Sequence, residues 1–293
     1  MSIKYWIKAT RPKTLSAGIM PVIIGSSLAF YDGKFNWLYF IITFVCSLLI
    51  QIITNFINEI YDFKKGADTE ERLGPQRQVA SGNISEKSMR IASIVLIIIT
   101  FILGLILVTR GGLPVLLIGV VSLILAYGYT GGPYPLAYKG LGDIFVLIFF
   151  GLVAVVGTYY IQTLNINTVV ILAGLAPGFL SMNILGVNNI RDVETDKKVN
   201  KLTLAVRIGE KNAKLLYIIL NVLTYISIII IYLITHKVWI LLPFLTIFHA
   251  FNLSKKIMIF KGAGLNVILE GTGKLLLLFG LLMSLGFILS KAI

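Results

Sequence analysis

The sequence predicts an all-α polytopic membrane protein, with nine transmembrane helices around a central cavity and a cytoplasmic N-terminus. Three observations carry that expectation. Hydrophobic residues make up 57% of the 293-residue chain and charged residues only 13%, where a soluble domain carries about 25% charged. The mean hydropathy is +0.90. Apolar runs such as Ile91 to Val108 and Leu215 to Ile234 approach the roughly 20 residues that a helix needs to cross a hydrocarbon core. The same balance excludes an ordinary soluble enzyme, a disordered chain, a coiled coil and a collagen-like repeat.

The first stretch, Met1 to Leu15, sets Lys4, Lys8, Arg11 and Lys13 among Tyr5, Trp6 and Ile7. It lacks the apolar core and small-residue cleavage site of a signal peptide, so it reads as a retained amphipathic segment at the membrane interface, with Pro12 turning into the first span. Nine apolar runs bounded by charge, Gly and Pro are the expected spans: residues 15–31, 37–58, 90–109, 113–130, 142–162, 167–187, 213–235, 238–254 and 268–289. Two pairs are separated only by Arg110 to Gly112 and by His236 and Lys237. Residues 1–293 form a single intramembrane domain on this reading, with active-site loops near 59–90 and 188–214. The lone Cys46 reads as packing, and His236 and His249 as loop or core histidines, too few for haem or zinc. Helical glycines such as Gly104, Gly119, Gly151, Gly157, Gly174, Gly178 and Gly186 suit close helix contacts or a tunnel for an apolar tail, with close packing the preferred reading.

Orientation follows from counting Lys and Arg on alternate sides of these spans, because positive loops stay cytoplasmic. One side collects 21 of the 26 and the other four, with Lys274 inside the last span. The N-terminus is therefore expected in the cytoplasm. The net charge of +13 belongs to this sorting and to anionic membrane lipid, with no nucleic acid as partner. Twelve of the 13 acidic residues fall on the same side, and only Asp32 lies opposite. Sorting does not explain that, since acids contribute little to it, so the function is expected at the cytoplasmic face.

The acids concentrate at two helix ends. The second span closes with Asn55, Asn58, Glu59 and Asp62 at offsets of three and four, followed by Asp68. The sixth closes with Asn188, Asp192 and Asp196 every four residues. Such offsets share one helical face. Carboxylates in a last helical turn meet the negative end of the dipole and repel one another, so a cation must offset them. Magnesium fits, because it takes one or two carboxylates plus water and completes its shell with phosphate oxygens. Two such ends facing across a cavity would hold a diphosphate, and both are followed by cations suited to it: Arg72 and Arg77 after the first, Lys201 and Arg207 after the second.

At these residues the sequence resembles the UbiA superfamily of intramembrane aromatic prenyltransferases. Three segments resemble its 1,4-dihydroxy-2-naphthoate polyprenyltransferase branch. They are Thr10-Arg-Pro-Lys-Thr-Leu-Ser-Ala-Gly-Ile-Met-Pro-Val, Asp68-Thr-Glu-Glu-Arg72 with Gly74-Pro-Gln-Arg77, and Asn188-Asn-Ile-Arg-Asp192 with Thr203-Leu-Ala-Val-Arg207. The resemblance implies nine helices and Mg2+-dependent binding of a polyprenyl diphosphate. The catalytic carboxylates it implies are Asp62, Asp68, Asp192 and Asp196. Asn58 and Glu59 join them around the metal, Glu59 standing where the family commonly has Asp. Asn55, Asn58, Arg72, Arg77, Lys139, Asn188 and Lys201 are the implied diphosphate contacts. The family's Tyr and Lys after the fourth span have Tyr129, Tyr134, Tyr138 and Lys139 as counterparts here.

The implied reaction ionises the allylic carbon–oxygen bond, and the electron-rich ring of 1,4-dihydroxy-2-naphthoate captures the carbocation with loss of carbon dioxide and diphosphate, giving demethylmenaquinone. Tyr127, Tyr129, Tyr159 and Tyr160 are candidates for shielding the cation. Two rivals stand beside this reading. A sister enzyme would use 4-hydroxybenzoate, homogentisate or a glycerol phosphate as acceptor. A transporter would place ionisable groups near the midplane, where this chain has only Glu270 and Lys274, four apart in the last span. The expected location is a prokaryotic plasma membrane, with the active-site loops in the cytoplasm.

Overall fold

The computed structural model of the protein describes residues 2–66 and 73–292. The described residues contain helices and no strand. Seven helices are long and apolar enough to cross a membrane, and Ser16–Tyr31 is a shorter apolar helix. The protein is an integral membrane protein.

A short helix α1 (Ile3–Ala9) docks by setting Trp6 against Phe56 at 5.6 Å between ring centroids, tilted by 57°. The chain then reverses through Arg11, whose φ of 52 lies in the left-handed region, immediately before Pro12. Helix α2 (Ser16–Tyr31) is the inner post of the bundle, with Met20, Ile24 and Leu28 packed out of contact with solvent or lipid. It passes close to α6 (Ala154–Thr163) at Gly25, where a Cβ would stand 2.5 Å from the Val155 carbonyl oxygen. Only glycine permits that approach.

Helix α3 (Trp37–Lys64) starts on Asn36, whose side chain accepts from the Leu38 and Tyr39 amides. Helix α4 (Glu86–Gly128) is capped by Ser85 and breaks at Gly112, with φ 64 and ψ −152. Gly112 therefore separates two helical stretches, and the expected spans 90–109 and 113–130 stand as two segments joined directly there, since φ above zero ends a helix without a separate loop. Helix α4 turns Ile91, Ile94, Ile98 and Ile102 outward on one face, and only 17% of its most apolar window is buried. That face is apolar and uncovered by the other described residues.

Helix α5 (Gly142–Val146) runs through a wide π turn at Leu147–Val153 into α6 as one apolar span. Helix α7 (Thr168–Arg191), with Asn167 as its cap, is the most enclosed, at 61% of its window. Two short helices, α8 (Val193–Lys198) and α9 (Leu204–Ile208), cross the end of the bundle before α10 (Glu210–Thr235) descends. The span expected at 238–254 begins as a tight 3-10 helix over Val238–Thr246 and continues as α11 (Ile247–Ile259). Helix α12 (Leu265–Ala292) closes the chain and seals Phe279 and Phe287 against α2. The core therefore sits among α2, α7, α10 and α12, while α3, α4 and α6 wall a separate chamber.

The remaining expectations resolve simply. Cys46 is buried and packs against α4. His236 ends α10 in a left-handed turn, and the His249 ring bonds the Gly271 carbonyl at 3.0 Å. Lys274 and Glu270 pair at 3.3 Å on the outer face of α12.

Candidate active site

The ends of α3 and α7 meet at one end of the bundle, around a polar cavity of about 90 Å³. Asn58 and Asp62 reach it from α3, Asn188 and Asp192 from the end of α7, and Asp196 from α8. The two acidic helix ends thus share one cavity. Arg77 and Lys201 line it as well.

Each carboxylate is held by a different device. Asp62 accepts from Arg77 Nη2 at 3.2 Å through Oδ2 and from the Tyr138 hydroxyl at 2.9 Å through Oδ1. Asp192 takes a two-pronged grip from Arg191, Nε and Nη2 each at 2.7 Å, while Nη1 of the same guanidinium donates to Asn266 at 2.7 Å. Asp196 pairs with Lys201 at 3.4 Å through Oδ1, and its buried Oδ2 has no hydrogen-bond partner. Two ammonium groups approach the Tyr138 ring, Lys65 at 3.9 Å and Lys201 at 5.5 Å from its centre. Lys64, by contrast, turns to Glu86 at 3.0 Å, and Lys197 to Glu194 at 3.0 Å. Lys64 and Lys197 are thus engaged by other carboxylates.

Burial is the first influence on these groups. It pushes the Asp196 carboxyl up to about 6, with Asp192 adding to the shift and Lys201 opposing it. Burial alone would lower the Lys201 ammonium, but Asp62, then Asp196 and Asp192, outweigh it and hold that group above its ordinary value. Lys65 is lowered, by burial and then by Lys201, against the pull of Asp62.

The expected residues do not all converge. Glu59 lies on α3 but turns to the following loop, where Oε2 accepts the Gln78 and Val79 amides at 2.7 and 3.1 Å and Oε1 faces Arg77 at 3.8 Å. It does not line the cavity. Asn55 donates to the Thr10 carbonyl at 2.9 Å, fastening the N-terminal segment to α3. Lys139 is exposed over the Tyr134 ring at 5.5 Å, and Arg207 clamps the carbonyls of Leu202 and Lys139. Asp68 and Arg72 lie outside the described residues. Among the four aromatic candidates, Tyr127 bonds Tyr61 at 2.7 Å, Tyr159 bonds Asp32 near the connection that follows α2, and Tyr160 packs in the cluster around Ile161. Tyr129 alone of the four reaches a cavity, and it lines two.

The second is an apolar chamber of about 210 Å³, walled by α3, α4 and α6 with residues such as Ile50, Gly104, Gly119, Phe149 and Gly157. Tyr129 is the residue that the apolar chamber and the polar cavity have in common. An amphiphile with a charged head and an apolar tail has a place for each.

Sequence reasoning passed over several lining residues: Arg11, Thr130, Asp143 and Arg191. Arg191 stood next to Asp192 in the quoted motif, and its adjacency was the available signal. Arg11 is brought in by the left-handed turn before Pro12, which composition does not reveal. Among the described residues the cavity is then lined by four carboxylates, Asp62, Asp143, Asp192 and Asp196, and four cations, Arg11, Arg77, Arg191 and Lys201.

The donor set suits magnesium. Among the described residues no three Asp, Glu, His or Cys converge as a preformed cage. Magnesium takes one or two carboxylates and completes its shell with phosphate oxygens and water. The unpartnered Asp196 Oδ2 is the kind of hard oxygen it takes, and Asn58 and Asn188 add amide oxygens. Asp62, Asp192 and Asp196 complete the set.

Comparison with known proteins agrees with this geometry. Residues 18–264 match the UbiA prenyltransferase family. The 1,4-dihydroxy-2-naphthoate octaprenyltransferase of Haemophilus influenzae is 38% identical over 226 residues, 74% of this chain and 73% of that protein. The protein of the same name from Bacillus subtilis is 33% identical over 289 residues, 96% of this chain and 91% of that one. A UbiA homolog from Archaeoglobus fulgidus, solved bound to DMAPP and Mg2+, shares the fold with a TM-score of 0.69 at 17% identity, covering 97% of this chain and 98% of that chain.

Proposed function

Because the chain belongs to the UbiA prenyltransferase family, we propose that it transfers a polyprenyl group from an allylic polyprenyl diphosphate to 1,4-dihydroxy-2-naphthoate, with Mg2+, releasing carbon dioxide and diphosphate and giving demethylmenaquinone. The observation that carries this reading is the pair of cavities meeting at Tyr129. The tail lies in the apolar chamber, the diphosphate lies among the two acidic helix ends, and the allylic carbon between them lies at Tyr129.

Magnesium held by Asn58 and Asp62 on one side and Asn188, Asp192 and Asp196 on the other would stabilise charge developing on the leaving diphosphate. Arg77 and Lys201 bind its oxygens directly, exchanging part of their hold on Asp62 and Asp196. Tyr138, hydrogen-bonded to Asp62, fixes the carboxylate in place. Tyr129 presents a ring to the allylic cation and helps to keep water from it. Asp68 and Arg72 retain in this proposal the metal and diphosphate roles that the resemblance implies, and Glu59 is given a supporting role through Arg77. The acceptor assignment rests on the names of the bacterial relatives, and the same relatives favour a bacterial plasma membrane with the site at its cytoplasmic face.

The test is product mass and diphosphate release from purified protein given a polyprenyl diphosphate, Mg2+ and 1,4-dihydroxy-2-naphthoate. A prenylated, decarboxylated product is expected from the wild type and not from Asp62→Asn or Asp192→Asn. Turnover of 4-hydroxybenzoate alone would overturn the acceptor, and turnover undiminished by a chelator would overturn the metal.

A further inference from the structure

We propose that Asp143 is the acceptor-side carboxylate of the site, holding the ring hydroxyl of the aromatic acceptor beside Tyr129 and taking its proton as the ring attacks. This rests on the prenyl-transfer reading and adds to it a residue outside both acidic helix ends.

Asp143 stands apart from the other carboxylates of the polar cavity. It is 4% exposed and lines that cavity. Asp62, Asp192 and Asp196 each face a cation: Arg77, Arg191 and Lys201 respectively. Among the described residues Asp143 has no ion pair, and its side chain bonds only its own backbone amide. A buried carboxylate without a counter-ion is costly, and the diphosphate chemistry above does not use it. Its surplus hydrogen-bonding capacity faces a cavity in which one substrate, the acceptor, is still without a partner.

Its position fits that substrate. Bond making occurs at the allylic carbon, which lies where the apolar and polar cavities meet, at Tyr129. The Tyr129 hydroxyl lies 2.9 Å from where a Cβ on Gly142 would stand, so the phenol rests on the residue before Asp143. Asp143 is also the charge that acts most strongly on that phenol, ahead of Asp62. A ring approaching the cation passes Asp143, the one carboxylate of the described lining that no cation pairs with.

The step balances without any further reagent. The hydroxyl ortho to the attacked carbon gives its proton to the Asp143 carboxylate, and its oxygen becomes a carbonyl as that carbon bonds the allylic carbon. The ring's carboxylate then leaves as carbon dioxide, its bonding pair restores the aromatic ring, and Asp143 returns the proton to the oxygen. No net proton or electron is exchanged. Arg11, which lines the same cavity, supplies positive charge on the acceptor's side.

The experiment compares wild type, Asp143→Asn and Asp143→Glu as full-length protein in lipid nanodiscs. It measures Mg2+-dependent binding of a polyprenyl diphosphate and, separately, turnover of 1,4-dihydroxy-2-naphthoate and of its analogue methylated at the ortho hydroxyl. Asp143→Asn is expected to bind the diphosphate within about twofold of wild type while kcat falls about 100-fold, the scale of a lost general base. Asp143→Glu should recover part of the rate, and wild type should drop to the level of Asp143→Asn on the methylated analogue. Full turnover by Asp143→Asn overturns the inference. So does a loss of diphosphate binding that parallels the loss of turnover, or an unchanged wild-type advantage on the methylated analogue. A wild type that binds the diphosphate but prenylates no hydroxylated aromatic acid overturns the acceptor reading and this inference together, whereas an active wild type matched by Asp143→Asn overturns Asp143 alone.

Discussion

Asp196 is where proton and metal compete for one oxygen. Burial raises its carboxyl to about 6, so the folded protein favours the neutral form more than the unfolded chain does. A raised acid contributes stability that is fully present below its unfolded value of 3.8 and is lost as pH rises through about 6. Magnesium requires the ionised form, so its affinity should move the opposite way. The Mg2+ concentration at half-maximal binding is expected to rise as pH falls from about 7 to about 5, and this component should vanish in Asp196→Asn; equal pH slopes in both proteins would contradict it. Glu59 gives the contrasting case. Its two backbone acceptances at Gln78 and Val79 make it a strut, so Glu59→Ala should cost about 1–3 kcal/mol of stability in a chemical or thermal melt. Its Mg2+ half-saturation should stay near wild type while that of Asp62→Asn rises, and the reverse order would return Glu59 to the metal.

At the scale of elements, the glycines of α4 and α2 separate packing from substrate volume. A Cβ on Gly104 or Gly119 meets nothing within 4 Å, and both residues line the apolar chamber. The tail has that space, so Gly104→Leu and Gly119→Leu should fold and accept shorter prenyl diphosphates while turning over long ones several-fold less well. Chain-length profiles of the products would check it, and an unchanged profile would place the tail elsewhere. Gly25→Ala should behave differently, because its Cβ would stand 2.5 Å from a backbone oxygen of Val155. It is expected to lose about 1–3 kcal/mol of stability with no change of chain-length preference. The sequence signals open glycines and contact glycines identically, as small residues in apolar runs, so the distinction became visible only with the helices in place. The break in α4 was legible by contrast, since Arg110-Gly-Gly112 divides two apolar runs in the sequence and Gly112 carries φ 64 between two helical stretches.

For the whole molecule, the helical class and the shared cavity were legible because they rest on long-range regularities: apolar runs, one-sided charge and two helix ends with the same spacing of Asn and Asp. What escaped was the outcome of turns and rotations. Arg11 enters through a left-handed residue, Asn55 and Glu59 rotate from the cavity toward neighbouring backbone, and Tyr127 and Tyr159 find hydroxyl and carboxylate partners far from it. Among the described residues the lining of the cavity sets four carboxylates against four cations, and this pairing of charges bears on binding. A multiply charged diphosphate entering alone would leave several negative charges uncompensated in a partly desolvated space, whereas metal ions alone would leave positive ones. The two ligands should therefore bind as a set. In a thermal melt of purified protein, Mg2+ with an allylic diphosphate at about 100 times the joint Kd should stabilise by about 2.7 kcal/mol, and either ligand by itself by much less. If the diphosphate produced the whole shift in the presence of a chelator, the cations of the chain would suffice, and the acidic helix ends would need another purpose.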